Sequence, residues 1–156
     1  MNGFSGTYDL RPSHWQGGMW GVQIYEFQND PRDPLTYEDS KGNLIRPDRH
    51  FYTDLASTPR TLQMLFPAYF AKDRFPMSAI MHDSSYLHNG DFFAVAGGWE
   101  FRELTRRQAD NLLYEMCIAE GLNKTNACLV WLGVRIGGSS AWKRKIDKVD
   151  LPSVSA

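Results

Sequence analysis

The spacing of apolar residues changes character along the chain, and the change falls near residue 75. Before it, apolar positions come in short alternating runs cut by turn formers. Those formers are Gly17-Gly18, Asn29-Asp30-Pro31, Asp33-Pro34, Lys41-Gly42-Asn43 and Pro47-Asp48. Alternation over Met19 to Phe27 (MWGVQIYEF) predicts a strand. The short runs Leu35–Glu38 and Asn43–Ile45 flank a hairpin turn. After it, the period lengthens. Phe75-Pro76-Met77 reads as a helix start, because proline is tolerated in a first turn whose N–H groups have no helical acceptor. The predicted helix runs from Pro76 to Leu87 and carries Ala79, Ile80, Asp83, Tyr86 and Leu87 on related faces. His88 to Glu103, rich in glycine and phenylalanine, reads as a long loop with extended pieces. Thr105 and Gln108 match a capping box opening a second helix, which runs until Gly121 on Ala109, Leu112, Leu113, Met116 and Cys117. A third helix, Thr125 to Ile136, is apolar nearly all round and stops at Gly137-Gly138, so it should be buried or lie at an interface.

These elements predict an α+β fold: a β-rich N-terminal portion packed on a three-helix core that contains an antiparallel helix pair. Residues 1–150 form one domain, with 1–50 the β- and loop-rich part and 51–150 the helical part, and 151–156 is a flexible tail. The length of 156 residues suits one domain, and 42% apolar and 13% aromatic residues suffice for a core. Seventeen basic against eighteen acidic residues leave a net charge of −1, which argues against a nucleic-acid partner, since such binding depends on neutralising many phosphates. Cys117 and Cys128 are too few for a disulfide scaffold and read as small core residues of a reduced protein. No apolar run is long enough for a transmembrane segment, and the N-terminus does not read as a signal peptide.

Candidate chemistry concentrates in Ser78-Ala79-Ile80-Met81-His82-Asp83-Ser84-Ser85-Tyr86. Neighbours on a helix diverge by about 100°, so His82 and Asp83 do separate jobs, whereas His82 and Tyr86 share a face. Asp110 lies at the edge of the apolar stripe of the second helix, where a carboxylate is costly unless hydrogen-bonded or paired with positive charge. With the two helices antiparallel, Asp110 can face His82 and Tyr86. It would then fix the imidazole tautomer and leave the other ring nitrogen to activate a water, with Asp83 free for a hard cation.

The segment His82-Asp83-Ser84-Ser85-Tyr86, followed by Arg107-Gln108-Ala109-Asp110-Asn111-Leu112-Leu113, resembles the two-helix core of phospholipases A2, most of all their disulfide-poor prokaryotic and parvoviral-capsid forms. The resemblance implies His82 as the base for a hydrolytic water, Asp83 as a Ca²⁺ ligand, Asp110 as the partner orienting His82, and Tyr86 as support for Asp110. That family also draws calcium ligands from a glycine-rich loop, and Pro59 to Phe75 contains no glycine. Asp54, in Thr53-Asp54-Leu55-Ala56-Ser57, is the nearest substitute donor; the same five residues equally suit an Asx turn or a helix cap.

A wider resemblance spans residues 50–142. Phe51-Tyr52-Thr53-Asp54-Leu55-Ala56-Ser57-Thr58-Pro59-Arg60, the HD…Y segment, Arg106 to Asp110 and Val134-Arg135-Ile136-Gly137…Trp142 together resemble an uncharacterised family of tailed-phage and prophage proteins, a domain of unknown function. Together the two resemblances imply a phage-encoded, calcium-dependent ester hydrolase of phospholipase A2 type, with a phospholipid or another ester as substrate. It would work in the host cytoplasm or in the virion. Two alternatives stand beside it. One is a non-catalytic virion, tail or assembly protein partnered by other phage structural proteins. The other is an HD-type metal phosphohydrolase using His50, His82, Asp83 and Asp110, although His50 reads as an ordinary loop histidine. The apolar run Met64 to Phe70 is read as core rather than an interfacial patch, and Lys143-Arg144-Lys145 with Lys148 as a solvated helix end.

Overall fold

The computed structural model describes residues 3–17, 22–53 and 76–143. The strands are β1 (Gly3–Ser5), β2 (Tyr8–Gly17), β3 (Val22–Asn29), β4 (Thr36–Glu38), β5 (Leu44–Arg46), β6 (His50–Thr53), β7 (Gly90–Val95) and β8 (Gly98–Glu103). The helices are α1 (Pro76–His88), α2 (Arg106–Ala119), α3 (Lys124–Gly137) and the short α4 (Ser139–Lys143). The strands form two antiparallel sheets, a five-stranded one in the order β1-β4-β5-β7-β8 and a three-stranded one in the order β2-β3-β6.

The class is α+β, but the predicted organisation is overturned. The stretch read as a loop, His88 to Glu103, holds a hairpin whose first strand pairs with β5 through Ile45↔Phe93 and Arg46↔Phe92. Strands from both halves therefore share the five-stranded sheet, so among the described residues the β-structure is not confined to the N-terminal portion. The main core shows the same mixing: Tyr37, Ile45 and Phe93 from the sheet pack with Ala79, Met81, Leu113, Met116, Cys117, Ala127, Val130 and Val134 from the helices. The hairpin reverses at Gly97, whose φ of +92° is a conformation that favours glycine. β7 and β8 pair with each other locally, but the Gly- and Phe-rich run carries no local sign that β7 also pairs with β5, some fifty residues upstream. The phospholipase-like helix pair is not supported as a fold either, since α1 and α2 are embedded against strands.

The helices themselves form where the periodicity places them. Thr105 caps α2, accepting from the Gln108 backbone N–H while the Gln108 side chain accepts from Thr105 N–H, and Asn123 caps α3. The hairpin read at 35–45 is β4 paired with β5. On α3, Ala127, Val130, Gly133 and Val134 are buried, while Leu132 and Ile136 face outward, Ile136 at 76% exposure, so this helix is not enclosed on every side. Cys117 is a core residue as expected; Cys128 is exposed, contrary to expectation. The tail 151–156, Asp54 and the run Met64 to Phe70 lie outside the described residues. No helix among the described residues is long and apolar enough to cross a membrane.

Candidate active site

Helix α1 is buried along most of its length, from Ser78 through His82 and on to Tyr86. It therefore shows little amphipathic contrast, and each polar residue on it must find a partner inside the protein. Ser84 Oγ accepts from the Asp48 backbone N–H at 2.9 Å, and Ser85 Oγ donates to Asp91 of β7 and to the Met81 carbonyl. His88 pairs with Asp48 at 3.3 Å and contacts the Ser84 carbonyl one turn earlier on its own helix. At the start of the helix, the Glu120 carboxylate accepts from the Met77 and Ser78 backbone N–H groups at 3.0 and 2.8 Å and from the Ser78 hydroxyl. These bonds fix the rotation and depth of α1, and hence the direction of His82.

The histidine so aimed meets α2. His82 Nε2–H donates to Asp110 Oδ1 at 3.0 Å, the Tyr86 hydroxyl donates to the same oxygen at 2.6 Å, and Arg135 Nη1 donates to Oδ2 at 2.8 Å. Asp110 is fully buried and His82 is 1% exposed. The His82 and Tyr86 rings lie 4.2 Å apart between centroids, tilted by 42°, and Trp142 of α4 meets Tyr86 edge-on at 5.0 Å. Gly138, joining α3 to α4, lies so near that an added Cβ would be 2.6 Å from the Tyr86 oxygen and 2.5 Å from the Val134 carbonyl. The network thus joins α1, α2, α3 and α4.

Its electrostatics follow from that composition. Burial alone would raise the Asp110 pKa, but hydrogen bonds from His82, Tyr86 and Arg135 outweigh it and hold the carboxyl below its ordinary value. The Tyr86 hydroxyl is pushed up, first by burial and then by donating to a carboxylate. With Asp110 ionised, Oδ1 can only accept, which assigns the His82 proton to Nε2. Nδ1 is left as the acceptor nitrogen; it is buried and has no hydrogen-bond partner among the described residues.

Three of the site residues read from sequence, His82, Asp110 and Tyr86, therefore come together. Asp83 points elsewhere, as neighbouring helix positions require, and accepts from the Thr53 hydroxyl at the end of β6. Asp54 lies outside the described residues. His50 is exposed on the three-stranded sheet, where it pairs with Glu26 at 2.7 Å, so it is not gathered with His82 and Asp110 as the phosphohydrolase reading requires. Among the described residues no three His, Cys, Asp or Glu side chains converge as a metal site would need. A calcium ion takes six to eight oxygen ligands; of the two carboxylates expected to supply them, Asp83 is among the described residues and Asp54 is not.

Sequence reasoning missed Arg135 as the counter-ion of Asp110. Its signal was the need for positive charge beside a buried carboxylate, with Arg135 present in the last turn of α3. Glu120 and Asp91 were also missed: Glu120 is half-buried against the start of α1, far off in sequence, and Asp91 is buried on β7, where it accepts from Ser85 of α1.

Together these features define an α+β protein whose helices meet at a buried His–Asp–Tyr–Arg network. Residues 32–134 match the family described as Protein of unknown function (DUF1353), and the chain belongs to that family. The matched segment contains His82, Asp83, Tyr86 and Asp110 and ends one residue before Arg135. No curated protein and no solved structure matches the chain.

Proposed function

We propose that the protein is an ester hydrolase in which His82 is the general base. The observation that carries this reading is the division of labour on one imidazole: Nε2 is held by Asp110, while Nδ1 is buried and unpartnered among the described residues. A buried acceptor left empty costs about 1–3 kcal/mol, so the nitrogen is a place for a polar ligand, and water is the simplest. Nδ1 takes a proton from that water as its oxygen attacks the ester carbonyl. The imidazolium that forms is stabilised by the Asp110 carboxylate. It then returns the proton to the departing alkoxide, so that ester and water become acid and alcohol. Tyr86 and Arg135 keep Asp110 ionised and fixed. The roles of His82, Asp110 and Tyr86 are those implied by the resemblance to phospholipases A2; the proposal takes the chemistry and not that fold.

The test is hydrolysis of a neutral aryl ester and of phospholipid in mixed micelles by the wild type and by His82→Asn. The wild type is expected to turn over at least one of them. The variant should be about 10²–10⁴-fold slower while melting as a folded protein. No turnover of either substrate, or equal rates in the two proteins, overturns the reading. Calcium is tested separately: if Asp83 belongs to a site completed by Asp54, Ca²⁺ raises the melting temperature and Asp83→Ala abolishes the rise.

A second reading, a non-catalytic phage structural or assembly protein, is favoured by the depth of the network. His82 at 1% and Asp110 at 0% exposure suit a buried lock between helices as well as a site. This reading expects His82→Asn to lower stability with no hydrolysis in either protein.

A further inference from the structure

The carboxylate of Asp110 is fully committed: Oδ1 accepts from His82 and Tyr86 and Oδ2 from Arg135. Arg106 lies one turn earlier on the same helix, the spacing at which an Arg–Asp pair ordinarily forms. It is not spent on Asp110. Its Nη2 donates to the Arg135 carbonyl at 3.1 Å, and its Nη1 is buried with no hydrogen-bond partner among the described residues. Arg107 follows it, and the first turn of α2 holds no acidic residue, so the positive end of that helix carries two cations where an acid is the usual occupant. Arg135, 29% exposed, opens the same region to solvent. Arg106 is joined to the His82 network through Arg135, whose carbonyl takes the Arg106 donor while its guanidinium binds Asp110.

We propose that Arg106, with Arg135 beside it, binds an oxyanionic group of the substrate, a phosphate first of all, next to the His82–Asp110 pair. A guanidinium presents its N–H donors as a planar fork that suits phosphate oxygens, and here one branch of the fork is held by a carbonyl and the other is unoccupied by any described group. The excess of cations over carboxylates supplies the charge, and the Arg135 carbonyl orients the side chain. This inference rests on the hydrolase reading for the word substrate, but the binding it claims does not require turnover.

The experiment is titration of the wild-type protein with inorganic phosphate at constant ionic strength, followed by melting temperature and by the arginine side-chain N–H resonances of ¹⁵N-labelled protein. Saturable stabilisation with a shift confined to one or two arginine signals is expected. Arg106→Gln should weaken binding about tenfold or more, the loss of a charge-assisted bond, while Arg107→Gln retains it. Absence of saturable binding, equal weakening by Arg107→Gln, or undiminished binding in Arg106→Gln overturns the proposal. The resonance readout decides the matter even if Arg106→Gln fails to fold. Glycerol 3-phosphate and vesicles containing anionic phospholipid form two further arms: binding to the first alone assigns a soluble phosphate ester, and to the second alone a lipid headgroup. Neutral-ester hydrolysis lost in His82→Asn but retained in Arg106→Gln, with no phosphate binding, would sink this inference and leave the hydrolase reading intact.

Discussion

Asp110 and Glu120 are two carboxylates that the same helix presents to α1, one in its first turns and one as its C-cap, and their pKa values move in opposite directions. Asp110 receives a guanidinium, an imidazole N–H and a phenol, and its pKa falls although burial pushes the other way. Among the described residues Glu120 receives the Ser78 hydroxyl and two backbone N–H groups, and burial wins: its pKa rises. Glu120 also stands at the negative end of α2 while capping the positive end of α1, so the two helix dipoles act on it in opposition. Burial and hydrogen bonding are common to both. What separates them is the donor set: His82 first, then Tyr86 and Arg135, outweigh burial at Asp110, whereas the donors on Glu120 do not.

The largest test of this contrast removes the charge at Asp110. Asp110→Asn keeps the shape but leaves Arg135 without its counter-ion and sets an amide N–H₂ against other donors. Breaking a buried pair from one side costs about 3–5 kcal/mol, and the 29% exposure of Arg135 places the expected loss near the lower end. Urea denaturation measures it. A loss below about 1 kcal/mol would mean that Arg135 behaves as an ordinary surface charge and that the comparison is wrong.

Next in size is Gly138→Ala. The new Cβ would sit 2.5 Å from the Val134 carbonyl and 2.6 Å from the Tyr86 oxygen, so either the α3–α4 junction or the ring must move. Overpacking of this kind costs about 1–3 kcal/mol. If the damage runs through the Tyr86–Asp110 bond, Gly138→Ala should cost less when introduced into Tyr86→Phe than into the wild type. Strict additivity would confine the effect to the backbone.

Tyr86→Phe alone removes one neutral donor and is expected to cost about 1–2 kcal/mol. It also predicts a direction in acid. A depressed folded pKa stabilises the protein above the ordinary carboxyl value of 3.8 and is lost as pH falls through the folded value. With one donor gone, the Asp110 pKa moves back toward 3.8, so acid unfolding should begin at a higher pH in the variant. An unchanged acid midpoint would show that His82 and Arg135 hold the charge without the phenol.

Much of the Asp110 end was legible in the chain, and almost none of the Glu120 end. His82, Tyr86 and Asp110 stand out because helical spacing places the first two on one face, and because a carboxylate on an apolar stripe demands partners. Those are local facts, and α1 and α2 form where local facts put them. Arg135 demanded a third helix, whose packing is set by the core and not by period. Glu120 sits just beyond the last turn of α2, where an acid reads as solvated; the arrival of the α1 N-terminus half-buries it. The same limit accounts for the hairpin Gly90–Glu103. Its strands pair with each other and the first of them also joins β5, far away in sequence; a Gly- and Phe-rich run carries no mark of that second partner.

The smallest and most selective test is the pH dependence of Glu120→Gln. A carboxyl whose folded pKa is raised favours the folded state below its unfolded value of 4.5, and the advantage is lost as pH rises through the folded pKa. Glutamine cannot titrate. It keeps one carbonyl oxygen for the Met77 or Ser78 N–H and loses the other acceptor, so the variant starts with an offset of about 1 kcal/mol or less. Whatever that offset, the stability difference between variant and wild type should drift in favour of the variant from pH 4.5 upward and flatten once Glu120 is ionised in the folded protein. Urea midpoints at a series of pH values read the drift directly. A drift in the opposite direction would mean that the Ser78 hydroxyl and the α1 N-terminus stabilise the anion more than burial penalises it. Glu120 would then be a second permanent charge, and the contrast with Asp110 would reduce to the identity of the donors and not the sign of the shift.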